Sequence, residues 1–390
     1  MSVLTSETPG VKNLNSVRYN AGLIDRLRSI AVRGLAHMYR PQERMFGFCV
    51  RRGPAGDVLE GTSRRYTAIT LLGLAGEAAA TVDDVLAGDR PAAVGARLLS
   101  DIDKVDNLGD VALTLWAARA WDLPGAGRAY ERLCELGLTD RPQATVELSW
   151  ALTALVVNDH LPAAVAIRDV VARRLLSAFR PKSGLFGHSV GAAGSEMRGH
   201  VACFADIVYP IHALANYHGA TGDETALAAA RQCAARACAL QGPAGQWWWH
   251  YDVRNGLVIE GYPVYSVHQD SMAPMALFAL AEAGGTDHGD AVRNGLDWLE
   301  HSQELDGGTL IDEESCAIWR KVARREPRKL TRRMQAAVSA VHPALRVPGT
   351  DIVFPAIAVD WECRPYHLAW ILYAWSPVRL GRLGISEEAL

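Results

Sequence analysis

The chain has 390 residues and a formal net charge of −3, with 49% hydrophobic and 21% charged residues. This is the balance of a globular protein with enough apolar material for a large core, and the small net charge gives no indication of nucleic-acid binding. Residues 1–20 lack the apolar run of a signal peptide, and no stretch of about 18 uncharged apolar residues predicts a membrane span.

The seven cysteines are scattered along the chain and form no Cys-x-x-Cys pair. This distribution is typical of reduced thiols rather than of a disulfide framework. We therefore predict a cytoplasmic protein.

Six segments carry apolar residues at the spacing of a helix with one buried face, as Leu23, Leu27 and Ile30 do. In chain order these predicted outer helices span residues 23–35, 92–102, 125–136, 163–179, 224–240 and 290–305.

Each outer segment is followed, directly or after a linker, by a helical segment that is apolar nearly all round and should be buried on all sides. These predicted inner helices span residues 65–76, 107–121, 144–157, 205–217, 268–283 and 360–375. If they form an inner ring, the polar residues near their N-terminal ends converge at one mouth. These polar residues are Asn107, Asp110, Glu147, Asp206, His268, Asp270, Asp360 and Glu362.

The alternation of six outer and six inner helices predicts an all-α fold, an (α/α)6 toroid that forms a single domain over residues 1–390. The linkers 44–50, 183–188 and 245–252 are rich in glycine and aromatic residues and are interpreted as short β-hairpin-like loops. They lie at the same end of the ring as the acids, where long loops are usually functional.

Asp206 and Asp270 each begin the pattern Asp-x-x-x-Pro before an apolar helix, and Glu362 begins a near copy, Glu-x-x-Pro. Proline is tolerated in the first helical turn, so we expect these acids at or just before the helix starts. There they would be either helix caps or functional acids.

Residues 309–353 do not fit the repeat and are predicted to be a basic insertion before the last inner helix. Within it, residues 320–333 carry two clusters of arginine and lysine. The clusters are either a solvated helical face or a patch that contacts phosphate, a polyanionic glycan or an anionic membrane surface.

The densest group of aromatic and titratable residues lies between residues 245 and 270. Aromatic faces suit the C–H faces of sugars and also suit an isoprenoid cation. Predicted substrate-binding residues in this stretch are Trp247, Trp249, His250, Tyr251, Tyr262 and Tyr265. Others elsewhere in the chain are Arg65, Tyr66, His188, Asp360, Glu362 and His367.

Catalytic candidates are the acids of the predicted mouth and the histidine beside them. Histidine exchanges a proton near neutral pH, and carboxylates in a partly dry funnel can have their pKa values pushed apart. The candidates are His268, Asp270, Asp206, Glu147 and Asp110. The sequence has no nucleotide-phosphate loop, no serine-hydrolase elbow and no convincing zinc spacing, so no cofactor and no metal are predicted.

The chain resembles the (α/α)6 toroid superfamily, including the N-acylglucosamine 2-epimerase and cellobiose epimerase group and the six-hairpin glycosidases. Residues 245–256 are similar to the aromatic hairpin of the epimerases. Residues 361–367 are similar to a late epimerase element whose histidine is an acid/base, which implies a catalytic part for His367. His268, however, fits the distance from the hairpin better. Glycosidases of this fold use carboxylates at inner-helix starts, which matches Asp110, Asp206 or Asp270 in position.

A weaker resemblance is to the squalene-cyclase and prenyltransferase toroids. Residues 296–308 look like their repeat, a helix ending in Gln, an acid and Gly. The protonating Asp-x-Asp-Asp motif of the cyclases is absent.

These observations predict a carbohydrate-active enzyme that uses acid/base chemistry on a small-molecule or oligosaccharide substrate. Glycoside hydrolysis is the first choice, with Asp270 or Asp206 as the acid and the other, or His268, as the base. Sugar epimerisation or elimination is next. The alternatives are a terpenoid cyclase that protonates an isoprenoid with a buried aspartic acid, and a non-catalytic glycan-binding toroid.

Overall fold

The computed structural model describes residues 19–191 and 199–385. Its α-helices, numbered α1 to α16 in chain order, are Ala21–Met38, Arg64–Leu74, Ala79–Val85, Pro91–Leu99, Leu108–Ala120, Ala126–Glu135, Thr145–Val157, Pro162–Ser177, Ala205–Thr221, Glu224–Ala239, Ala273–Glu282, Gly289–Glu300, Leu330–Val341, Thr350–Val353, Pro365–Ala374 and Pro377–Arg382. A π-helical turn, His268–Met272, precedes α11, and short 3₁₀ turns cover Ile102–Lys104, Gln303–Leu305 and Pro327–Lys329.

The strands are short and pair in antiparallel fashion. They are Tyr39–Arg40, Met45–Phe46, Cys49–Gly53, Gly56–Glu60, Gln143–Ala144, Phe179–Arg180, Leu185–Phe186, Ser189–Val190, Val201–Cys203, His250–Asp252, Val258–Glu260, Val264–Tyr265, Ile311–Asp312, Ala317–Ile318, Lys321–Ala323, Ala358–Asp360 and Glu362–Cys363. Strands occur in all three loops predicted to be strand-like, which confirms that interpretation.

The inner ring consists of α2, α5, α7, α9, α11 and α15, and each packs against the next. The ring closes because α15 packs against α2. Outside it lie α1, α4, α6, α8, α10 and α12, which alternate with the inner helices along the chain. The predicted (α/α)6 toroid is confirmed.

Inner helices are buried on nearly every side, as their apolar sequences predict. In α5 every residue from Val111 to Ala118 is buried. Close packing also fixes a glycine, since a Cβ added to Gly73 of α2 would lie 2.4 Å from the carbonyl oxygen of Ala369 in α15. The ring closure therefore needs glycine at this position.

The fifth inner helix begins at His268, as predicted, but its first turn is π-helical. Pro274 has no amide hydrogen and cannot donate to the carbonyl of Asp270 four residues earlier. The indole Nε1 of Trp375 donates to that carbonyl oxygen instead, at 2.6 Å. Asp270 consequently lies inside the first turn rather than before the helix.

The sixth inner helix begins at Pro365 and not at residue 360, which corrects the predicted boundary. Residues 358–363 are extended because they pair with two other strands: Asp360 lies opposite Lys321, and Glu362 lies opposite Arg51. These pairings attach the region of the basic insertion to the end of the ring where the inner helices begin.

All seven cysteines are free thiols. Within residues 19–191 and 199–385, none of the helices combines the length and the apolar character that crossing a membrane would require.

Candidate functional site

A cavity of about 200 Å³, called here the main cavity, lies where the N-terminal ends of inner helices meet. Its described lining is mostly aromatic and apolar, with two arginines and one histidine. The lining residues are Arg65, Tyr66, Ile69, Val146, Trp150, Ala205, Tyr209, Trp249, Tyr265, His268, Met272, Arg320 and Tyr366.

Two predicted catalytic acids, Asp110 and Glu147, lie at the rim of the main cavity, where they contact its lining residue Arg65 and are not themselves part of the lining. Arg65 donates from Nε to Asp110 Oδ1 at 2.6 Å, and its Nη2 lies 3.7 Å from Glu147 Oε1. Asn107 accepts from Arg65 at 2.8 Å and donates to Glu147 at 2.7 Å. The side chains of Asp110 and Glu147 are 22% and 20% exposed, so both can reach a ligand.

The sequence positions this group through helix N-terminal geometry. Asn107 is the N-cap of α5, and its side chain accepts from the backbone amide of Asp110 at 2.9 Å. Asp110 and Glu147 both lie in the first turn of their helices, where a negative charge is favoured. Arg65 also lies over the ring of Trp150, at 5.3 Å from its centroid.

His268 lines the main cavity, and its ring is stacked on that of Trp249 at 5.7 Å and 9°. Burial lowers the pKa of His268 to about 3, and the nearby charge of His367 adds to this effect. The imidazole is therefore neutral at physiological pH. Its Nδ1 is buried and has no hydrogen-bond partner in the described part of the chain. A neutral ring of this kind is better suited to hydrogen bonding than to donating a proton.

Asp360 and Glu362 form ion pairs with arginines and a lysine near the main cavity. Glu362 accepts hydrogen bonds from Arg320 at 3.0 Å, Arg364 at 2.8 Å and Arg51 at 2.5 Å. Burial alone would raise the pKa of Glu362, but these guanidinium groups together lower it. Glu362 thus stays charged.

Asp360 lies 2.7 Å from Nζ of Lys321, and burial lowers the pKa of that lysine despite the ion pair. Arg320 also lies 5.4 Å from the ring centroid of Tyr265, and both of these side chains line the main cavity. Burial raises the pKa of Tyr265, while the charge of Arg320 opposes the rise. The two acids therefore position cationic groups beside the cavity.

Asp270 and His367 form a buried pair away from the lining of the main cavity. Nε2 of His367 lies 2.7 Å from Asp270 Oδ2 and 2.9 Å from Oδ1, and the carboxylate is fully buried. The structure thus joins Asp270 to His367 rather than to its neighbour in sequence, His268.

Asp206 is also fully buried and does not line the main cavity. It pairs with Nδ1 of His188 at 3.0 Å and accepts from the backbone amide of Cys203 at 2.8 Å. Ligand atoms of His188, Cys203 and Asp206 lie within 4.8 Å of one another, and these three residues could hold a metal ion such as Zn²⁺. Burial, followed by the charge of Asp206, raises the pKa of the Cys203 thiol well above its usual value.

Among Trp247, Trp249, Tyr251 and Tyr262, only Trp249 lines the main cavity. Trp247 packs against Phe204, and the hydroxyl of Tyr251 donates to the backbone oxygen of Trp248. Tyr262 donates to Glu304 at 2.8 Å. These three are packed among other residues and not presented to a ligand.

A second cavity of about 380 Å³ adjoins the main cavity, because Trp249 lines both. Its other described lining residues are His250, Lys329, Arg332 and Arg333. The predicted basic insertion thus supplies three cations to a concave surface.

The sequence interpretation missed several lining residues. Trp150 and Tyr209 lie three residues after Glu147 and Asp206, a helical spacing that places them near the same face and could have identified them. Tyr366 adjoins His367 within residues 361–367, the segment that resembles the late epimerase element. No spacing or motif in the sequence marks Arg320 as a lining residue, since its position depends on strand pairing within the insertion.

Comparisons with solved structures support the fold. The chain is similar to an unsaturated glucuronyl hydrolase specific for heparin, with a TM-score of 0.58 and 14% identity over 93% of this chain and 96% of that one. A possible member of the GH105 family from Salmonella enterica gives a TM-score of 0.57 and 8% identity, with 96% and 98% covered. The GH76A α-1,6-mannanase of Salegentibacter sp. HEL1_6 gives 0.51 and 12%, with 92% and 99% covered.

All three of these neighbours are toroid glycosidases, and at these identities the likeness establishes the (α/α)6 fold. No protein-family model and no curated protein matches the sequence.

Proposed function

We propose that the protein is a glycoside hydrolase that binds a sugar in the main cavity and cleaves the glycosidic bond with Asp110 and Glu147. One observation carries this proposal: two partly exposed carboxylates, from the first turns of neighbouring inner helices, lie beside an aromatic cavity. Glycoside hydrolysis needs a pair of carboxyl groups, one to protonate the leaving oxygen and one to act on water or on the sugar.

The contacts assign different roles to the two carboxyl groups. Arg65 lies 2.6 Å from Asp110 and 3.7 Å from Glu147, so its charge stabilises the carboxylate of Asp110 more strongly. We assign Asp110 as the base or nucleophile and Glu147 as the acid. His268, being neutral, would hydrogen-bond a sugar hydroxyl, and Trp150 and Trp249 would contact sugar faces.

The neighbours act on carbohydrates, which agrees with this assignment. One of them is a glucuronyl hydrolase. Another is a mannanase variant that matches this chain with a TM-score of 0.50 and 12% identity, and it was solved in complex with α-1,6-mannotriose. We infer from this agreement that the chain also acts on a carbohydrate. Hydrolysis is preferred to epimerisation because the two carboxylates are partly exposed, whereas His268, a histidine that lines the cavity, has a lowered pKa and is therefore a weak base for abstracting a proton from carbon.

A terpenoid cyclase is the second candidate, and the apolar, aromatic lining favours it. Such an enzyme needs an aspartic acid in the cavity to protonate an alkene. Asp110, the partly exposed aspartic acid beside the cavity, is instead paired with Arg65 at 2.6 Å. Arg65 and Arg320 would also place positive charge beside a developing cation. The cyclase therefore ranks below the hydrolase.

The test is a mass-spectrometric screen of the purified protein against neutral and uronic-acid oligosaccharides, with prenyl diphosphates in parallel. Hydrolysis adds one water to an oligosaccharide and releases two shorter sugars. Turnover of prenyl diphosphates alone would reject the hydrolase, and a sugar product of unchanged mass would indicate epimerisation.

A further inference from the structure

The second cavity differs from the main cavity in its charge. Its described lining consists of three cationic residues, Lys329, Arg332 and Arg333, together with Trp249 and His250. Lys329 and Arg333 are exposed, and within residues 19–191 and 199–385 neither of them forms an ion pair. The positive charge of the cavity is thus only partly neutralised.

Other cations of the same region behave differently. Arg324 pairs with Glu260 at 3.0 Å and with Asp351 at 2.8 Å. Arg320 and Lys321 pair with Asp360 and, for Arg320, also with Glu362. Lys329 and Arg333, by contrast, have no carboxylate partner among the described residues, and they line a concave space rather than a flat helical face.

The position of the cations on the helix is also unfavourable in the absence of an anion. Helix α13 begins at Leu330, so the three side chains flank its N-terminal end, where the helix itself carries partial positive charge. Glu326 accepts a hydrogen bond from the backbone amide of Thr331 and satisfies one group there. A further anion in the cavity would offset the remaining positive charge.

We propose that the second cavity is a subsite for a sulfate or phosphate group carried by the substrate unit next to the one in the main cavity. This inference rests on the proposed function. Arginine and lysine side chains are suited to tetrahedral oxyanions, arginine through paired hydrogen bonds. Trp249 lines both cavities, so a single ligand that passes its ring would occupy the two together.

A flat anionic membrane fits this surface less well. The cations line a concave space of about 380 Å³, which accommodates a compact group better than a planar array of headgroups. The substrate class that follows is a sulfated or phosphorylated oligosaccharide.

The experiment compares binding of two oligosaccharides that share one backbone, sulfated and unsulfated, to the full-length protein by calorimetry. The double variant Lys329→Gln/Arg333→Gln tests the site. Arg325→Gln is the matched control, because Arg325 is an exposed cation of the same segment that does not line the cavity. Inorganic phosphate and vesicles containing anionic lipid are measured in parallel.

We expect the sulfated ligand to bind more tightly than the unsulfated one, and the double variant to weaken only the sulfated ligand, by about tenfold or more. Arg325→Gln should behave as wild type. Equal affinity for the two ligands, or no effect of the double variant, would overturn the subsite. Binding of vesicles alone would also overturn it and indicate a membrane surface.

The outcomes separate the subsite from the proposed function. Turnover of unsulfated sugars without any gain from sulfation would remove the subsite and leave the hydrolase. Phosphate binding that depends on Lys329 and Arg333, without binding or cleavage of any sugar, would support the anion site and remove the hydrolase.

Discussion

Nε2 of His367 lies 2.7 Å from Oδ2 of Asp270, and this buried contact links the fifth and sixth inner helices across 97 residues of sequence. Burying a carboxylate or an imidazole without a hydrogen-bond partner destabilises the folded protein, so each residue needs the other. The pair therefore contributes to the packing of the two inner helices against each other.

Removing one member of this pair should destabilise the fold. Asp270→Ala leaves His367 buried without its partner, so we expect the free energy of unfolding to fall by about 3 kcal/mol, the lower end of the range found when one partner of a buried pair is lost. Urea denaturation measures this change. Asp83→Ala, at an exposed position, should change it by less than about 0.5 kcal/mol. A similarly small loss for Asp270→Ala would contradict a structural role for the pair.

The rim carboxylates should behave differently, because both are partly exposed. We expect Asp110→Asn and Glu147→Gln each to lower kcat/KM for an oligosaccharide at least about a hundredfold, with little change in Tm. Asp106→Asn serves as the control, since its parent side chain is 93% exposed and pairs with Arg132 away from the cavity. Full activity of either rim variant would remove that carboxyl group from the proposed mechanism.

The ring and part of the site are predictable from sequence, because both depend on local patterns. Apolar periodicity defines the helices, and helix N-terminal preferences bring Asp110 and Glu147 to one rim. Other features depend on contacts between distant segments. The pairing of Asp270 with His367 and the placement of Arg320 require the ring closure and the strand partners of residues 321–323, which no local pattern encodes.

His268 leads to a prediction about acid stability. Its pKa is about 3 in the fold and about 6.5 in an unfolded chain, so between these values the unfolded state binds a proton that the folded state does not. Stability is therefore full above about pH 6.5. It falls as the pH drops towards 3, by up to about 1.4 kcal/mol per pH unit from this group.

Replacement by a residue that does not titrate should reduce that dependence. We expect His268→Asn to lose less stability than wild type between pH 7 and pH 4, measured by denaturant unfolding at each pH. His160→Asn, at an exposed position, should retain the wild-type slope. Identical slopes for wild type and His268→Asn would mean that His268 is not a neutral, buried group in the folded protein.

Trp249 contributes its side chain to the lining of both cavities. Its ring lines both and stacks on His268, so Trp249→Ala should remove a contact surface from each cavity and free the imidazole ring to move. We expect oligosaccharide affinity to fall about tenfold, because one aromatic face contributes on the order of 1 kcal/mol or more. Trp249→Phe, which keeps an aromatic face, should lose less.

The comparison of ligand lengths tests whether Trp249 acts on both cavities. A monosaccharide that fills only the main cavity should lose less affinity in Trp249→Ala than an oligosaccharide that reaches the second cavity. Trp121→Ala is a suitable control, since its indole donates to the backbone of Leu71 and lies outside both linings. Equal losses for short and long ligands would show that the ring contacts one unit alone, and the two cavities would then bind independently.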